Sequence, residues 1–128
     1  MPVTETILHD LQLVHTVAAG KVTRDDFMAH MERTWSSREI ADYDEIVDAT
    51  AADASLLSQE DLIEIINFGV EYDSEKMRKL ALCVNSDLEF GIGRMFGAMR
   101  ETHDKNSLEI QTFRDIASAE AWVGKSTA

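Results

Sequence analysis

The chain has 128 residues, 45% of them hydrophobic, with 24 acidic against 12 basic side chains and a net charge of −12. That length suits one domain over residues 1–128 with one core, and a field of that sign repels nucleic acid and anionic membrane surfaces. A single cysteine, Cys83, excludes an internal disulfide and any cysteine-rich metal site, and its place in an apolar run predicts a buried, inert thiol.

No apolar stretch approaches the length of a membrane span, and the opening MPVTETILHD lacks the basic start and apolar run of a signal peptide, so a cytoplasmic protein is expected. Glu5 to Leu8 and Leu11 to Val17 read as two short strands around His9 and Asp10, an antiparallel hairpin at a sheet edge. Thr23, followed by Arg24, Asp25 and Asp26, starts a helix whose buried face is Phe27, Met31, Thr34 and Trp35. A connection through Ser36, Ser37 and Asp42 leads to a short central strand, Glu45 to Ala49. Residues 50–55, TAADAS, carry no periodicity and read as a loop at its carboxyl end.

Ser58 with Asp61 three residues on predicts a capping-box start, and Leu62, Ile65, Ile66, Gly69 and Val70 give the stripe of a second helix. Leu80 to Val84 is an unbroken apolar run, as in a strand covered on both faces. After the polar cap Asn85, Ser86 and Asp87, the residues Leu88, Ile92, Met95, Phe96 and Met99 predict the apolar face of a third helix. Glu109 to Phe113 reads as the last strand, Ser118 as the cap of a short final helix, and the tail GKSTA as frayed. The order β-β-α-β-α-β-α-β-α predicts an α/β fold, a single-layer mostly parallel sheet with right-handed crossover helices and an antiparallel edge strand.

The strand LALCVNSDL leading to FGIGRMF, and the ending TFRDIASAEAWV, resemble the bacterial SpoIIAA-like family. The resemblance covers nearly the whole chain. That family shares its fold with STAS domains, the anti-sigma-factor antagonists, and with the lipid-binding domain of CRAL-TRIO proteins. Classical antagonists carry an Asp-Ser motif whose serine is phosphorylated. The corresponding stretch here, Asp48-Ala49-Thr50-Ala51-Ala52-Asp53-Ala54-Ser55, lacks it.

The remaining motifs carry little chemistry. Gly91, Gly93 and Gly97 have the spacing GxGxxxG, which is neither the dinucleotide fingerprint nor a P-loop, and close helix packing accounts for them better. His9, His15, His30 and His103 lie on different elements without the i, i+4 spacing of a helical metal site, and are expected to be surface or satisfied structural residues. Met28, Met31, Met77, Met95 and Met99 are expected to fill core. With no acid–base pair and no nucleophile elbow, no enzyme, cofactor or metal is expected. The first functional expectation is a non-catalytic regulatory or protein-interaction module, acting on a protein partner or as a homodimer packed through Gly93 and Gly97. The alternative is a binder of a small apolar or lipid-like ligand, for which the apolar Met28, Ile63, Phe68 and Phe90 speak. Ligands of open α/β sheets gather beyond the carboxyl ends of the strands, which selects Asp48, Thr50, Ser55, Asn85, Ser86 and Arg94 as candidate site residues. Arg94 would hold an anionic group or pair with Asp87 or Glu101. Ser55 and Ser58, near the start of the second helix, are candidate phosphoacceptors.

Overall fold

Alternating side chains from residue 3 to residue 21 leave two strands and a tight reversal between them. In the computed structural model, which describes residues 2–127, β1 (Val3–Leu8) pairs antiparallel with β2 (Leu13–Lys21), from Val3 opposite Ala18 to Leu8 opposite Leu13. The reversal is a 3-10 turn, His9–Leu11, closed by Gln12 in the left-handed region at φ 51°. Leu11 therefore belongs to the turn and not to β2, and its side chain is exposed. The Gln12 carbonyl accepts from Asp44 N–H and from Lys125 Nζ, both at 3.1 Å, and these bonds help hold a conformation that a residue with a Cβ adopts at a cost.

Helix α1 (Arg24–Trp35) and helix α2 (Gln59–Gly69) each begin with a complete capping box, Thr23 with Asp26 and Ser58 with Asp61. Between them, β3 runs Asp44–Asp53, four residues past the expected end, and residues 50–53 of the expected loop are strand. The long β2 supplies the reason: after an irregularity between Val17 and Ala19, Ala19, Gly20 and Lys21 pair with Ala51, Ala52 and Asp53 and satisfy their backbone groups. Then follow β4 (Arg78–Cys83), α3 (Asp87–Glu101) capped by Ser86, β5 (Leu108–Phe113) and α4 (Ile116–Val123). The cap of α4 is Asp115, whose carboxylate accepts from Ser118 N–H at 2.7 Å, so Ser118 sits inside the first turn.

The five strands lie in the order β1-β2-β3-β4-β5, with β2 to β5 parallel and β1 the antiparallel edge. This is the predicted α/β arrangement. Because the strands succeed one another in one direction, right-handed crossovers place α1, α2 and α3 on the same face. There Val14, Trp35 and Ile40 form one core cluster, and Val47, Leu80 and Leu108 another. The opposite face is closed by α4, where Ala119 and Val123 pack on Leu13, Ile46, Ala81 and Cys83. Cys83 is fully buried there, and burial pushes its thiol up to about 12, an inert state.

The third helix is turned part of the way from its expected face: Ile92 and Phe96 do face inward, but Leu88 and Met95 are exposed, while Gly93 and Arg100 are buried. Gly93 makes this possible, since a Cβ there would lie 2.8 Å from Thr112 Oγ1 of β5, whereas one at Gly97 would meet Ile110 at 3.6 Å, an ordinary contact. These glycines pack the helix on its own sheet and offer no outer surface for the expected homodimer. Of the methionines, Met77 and Met95 are exposed instead of filling core. The tail is anchored, with Lys125 Nζ on Asp44 Oδ2 at 2.8 Å and Thr127 N–H on Glu120 Oε2 at 2.6 Å; Ala128 lies outside the described residues.

Candidate functional site

The six residues selected at the carboxyl edge are mostly engaged in local bonds. Asp48 Oδ1 accepts from both the N–H (3.1 Å) and the hydroxyl (2.6 Å) of Thr50. Ser55 N–H donates to Asp53 at 2.9 Å, Ser86 accepts from Glu89 N–H at 3.2 Å, and Asn85 is exposed. Arg94 is exposed and, among the described residues, makes no ion pair; Asp87 pairs instead with Arg114 at 2.6 Å. Ser58 is occupied as a cap, its hydroxyl accepting from Asp61 N–H at 3.0 Å. The structure draws Asp48, Thr50, Ser55, Ser58 and Ser86 into local turns and caps, and the larger cavity lies elsewhere.

That space is a cavity of about 150 Å³ between the sheet and helices α1, α2 and α3. Its wall is almost wholly apolar: Phe27 and Met31 from α1, Val47 and Ala49 from β3, Leu62 and Ile65 from α2, Leu80 and Leu82 from β4, Ile92 and Phe96 from α3. Small side chains create it. Ala49, Ala52 and Ala54 stand where larger residues would fill the layer, Ala49 at the end of the expected strand and the other two in the stretch that the sequence presented as a loop. Protein interiors are close-packed, and an apolar void of this size is large enough to take up a small organic molecule.

Four polar side chains enter the wall: Thr16, His30, Glu45 and Glu89. Glu45, fully buried on β3, accepts from Thr16 Oγ1 at 2.6 Å and from His30 Nε2 at 2.9 Å through the same oxygen. His30 Nδ1 faces Glu5 of β1 at 3.1 Å, and Glu5 is held in turn by Arg33 Nε at 2.5 Å and Nη2 at 2.8 Å. Burial alone would discharge His30, but carboxylates on both ring nitrogens outweigh it and raise its pKa above the ordinary 6.5. Burial likewise pushes Glu45 up, and the His30 bond outweighs it, so its carboxyl is lowered. The Arg33 guanidinium holds Glu5 down to about 2. The arrangement is an imidazole between two carboxylates that favour its protonated form.

A second cavity, about 50 Å³, shares Met31, Glu45, Ile65, Leu80 and Phe96 with the first and extends to the amino ends of β4 and β5. It is lined there by Arg78 and Arg100, 5% and 2% exposed. Asp73 is their nearest carboxylate, 2.6 Å from Arg100 and 4.0 Å from Arg78 through Oδ1, while its Oδ2 accepts from Ser107 N–H at 3.2 Å. The Arg78 guanidinium stacks on Trp35, 4.1 Å from the ring centre. Burial lowers its pKa, a measure of how poorly its charge is compensated. Arg78 Nε and Nη1, Arg100 Nη1 and the Ser107 hydroxyl have no hydrogen-bond partner among the described residues.

Sequence reasoning missed Glu45, His30, Arg78 and Arg100. Their signals were weak but present. Glu45 opens a strand otherwise apolar through Val47, His30 lies three residues after Phe27 and four before Thr34 on the buried face of α1, and Arg100 follows Gly93 by seven residues on α3. Among the described residues, no group of three or more His, Cys, Asp or Glu is placed to hold a metal ion, and no helix is long and apolar enough to cross a membrane.

No protein-family model and no curated protein matches the chain. Among solved structures it is similar to an uncharacterised protein of the DUF3478 family, with a SpoIIAA-like fold, from Shewanella loihica PV-4. The two share 18% identity at a TM-score of 0.63, over 94% of this chain and 93% of that one. The likeness is one of fold, and the fold of this chain is SpoIIAA-like.

Proposed function

We propose that the protein is a non-catalytic, cytoplasmic module that binds a small apolar ligand between its sheet and helices α1, α2 and α3. The observation that carries this reading is the apolar cavity of about 150 Å³ in a layer that would otherwise pack solid. Its ionisable groups support a binding role over catalysis. Glu45, His30 and Glu5 satisfy one another, which leaves Glu89 of α3 as the other ionisable group of the lining, and a single carboxylate is no acid–base pair. Ala49→Leu tests it, because the added side chain enters the cavity from the central strand. The melting temperature is expected to hold or rise, as cavity filling commonly adds about 0.5–2 kcal/mol, while binding of hexanol, followed by calorimetry, disappears. A loss of stability with hexanol binding intact would sink the reading.

A second reading is a STAS-like regulatory module that engages a protein partner or a second copy of itself. It draws on Arg94, an exposed cation without an ion pair among the described residues, and on the exposed Leu56, Ile63 and Leu88. The carboxyl-edge residues Asp48, Thr50, Ser55, Asn85 and Ser86 belong to that proposed surface, with Ser55 as its exposed phosphoacceptor. Ser58 fits the phosphoacceptor role less well, since the Asp61 carboxylate bonds its N–H at 2.9 Å and would repel a phosphate.

A further inference from the structure

At the smaller cavity the contacts between buried charges are uneven: among the described residues, Arg78 and Arg100 both have Asp73 as their ion-pair partner. Two guanidiniums there share one carboxylate, and one oxygen of that carboxylate also accepts from Ser107 N–H.

Buried arginines ordinarily have their donors paired, because a guanidinium cannot discharge and an unmet N–H loses its water without replacement. Here three guanidinium nitrogens and the Ser107 hydroxyl are unmet, and both arginines line a space of about 50 Å³. A compact anion seated in that space would meet the unpaired nitrogens of the two arginines. Among compact anions, a carboxylate matches the planar fork of arginine, and it is smaller than a phosphate. The space adjoins the apolar cavity of about 150 Å³ along Met31, Ile65, Leu80 and Phe96, so an anion seated there has a hydrocarbon path beside it.

We infer that the smaller cavity is an anion site and that the ligand is a short-chain amphiphile, its carboxylate at Arg78 and Arg100 and its apolar tail in the larger cavity. This inference rests on the cavity-binding reading and adds the head group. The polar end lies at the amino ends of β4 and β5, on the side of the sheet opposite to the carboxyl edge where ligands of such folds are first sought.

Calorimetric titration of the intact protein with hexanoate, hexanol, acetate and inorganic phosphate tests the inference. Hexanoate is expected to bind at least tenfold more tightly than hexanol, and both small anions more weakly than hexanoate. In Arg78→Met, which keeps an apolar side chain over Trp35, hexanoate should lose at least tenfold while hexanol is unchanged. Should that variant not fold, the arginine Nε–Hε signals of the wild-type protein serve instead: hexanoate shifts Arg78 and hexanol does not. Hexanol binding as tightly as hexanoate overturns the anion site and leaves the apolar cavity standing. Binding of neither removes the cavity reading and this inference together, and acetate or phosphate binding as tightly as hexanoate shows a site for a free anion and overturns the amphiphile.

Discussion

His30 joins three elements through one ring. Its nitrogens lie 3.1 Å from Glu5 on β1 and 2.9 Å from Glu45 on β3, while its own backbone belongs to α1. The pKa shifts of these groups fix the sign of a pH dependence. Glu5, lowered from 4.5 to about 2, adds stability above pH 4.5 that is lost as pH falls toward 2, and the lowered Glu45 acts in the same direction. The raised His30 adds stability below pH 6.5 that is lost as pH rises through its folded-state value. Thermal stability should therefore be greatest between about pH 4.5 and 6.5. Replacing His30 by Gln breaks a buried pair, at a cost of about 3 kcal/mol. Melting curves of wild type and His30→Gln across pH check this, and a gap between them that stays constant above pH 6.5 would refute the charged-imidazole account.

At the scale of elements, the contact between α3 and β5 is set by one missing side chain. A Cβ at position 93 would lie 2.8 Å from Thr112 Oγ1, so the helix lies closer to the sheet than a larger residue allows without a shift, and this orientation brings Arg100 inward and leaves Leu88 outside. Alanine at position 93 gains about 1 kcal/mol of helix propensity. It also meets a β-branched side chain held in a strand, and overpacking of that kind costs about 1–3 kcal/mol. Gly93→Ala is thus expected to lower stability, and Thr112→Ala in the same chain to restore it, both read by urea denaturation. If Gly93→Ala is stabilising by itself, the close approach is not what orients α3. The same packing explains why a helix read from five apolar positions is turned part of the way from its expected face.

At the scale of the whole molecule, the sheet is covered asymmetrically, with three helices enclosing the cavities on one face and the short α4 sealing the other. The helix surface first expected to bind a second copy is already used against β5, and a charge of −12 sets copies against one another. A homodimer would have to form through other exposed apolar groups such as Leu56, Ile63 and Leu88. Light scattering at high micromolar concentration decides the point: a dimer mass favours the partner-binding reading, and a monomer mass removes its homodimer form. Element order, the antiparallel edge, the threonine and serine caps of α1 and α2 and the stripe of α2 were all legible in the amino-acid sequence, because caps and apolar periodicity are local properties of neighbouring residues. The extension of β3 was not, since Ala51 to Asp53 become strand only by pairing with β2, which comes some thirty residues earlier in the chain. Nor was the site. Glu5, His30, Glu45, Arg78 and Arg100 come from five different elements, and each alone reads as one more charge in an acidic chain. Burial makes them a site, because only in a low-dielectric interior does an unpaired guanidinium or a shared proton carry weight, and which side chains meet there is fixed by how the helices dock on the sheet.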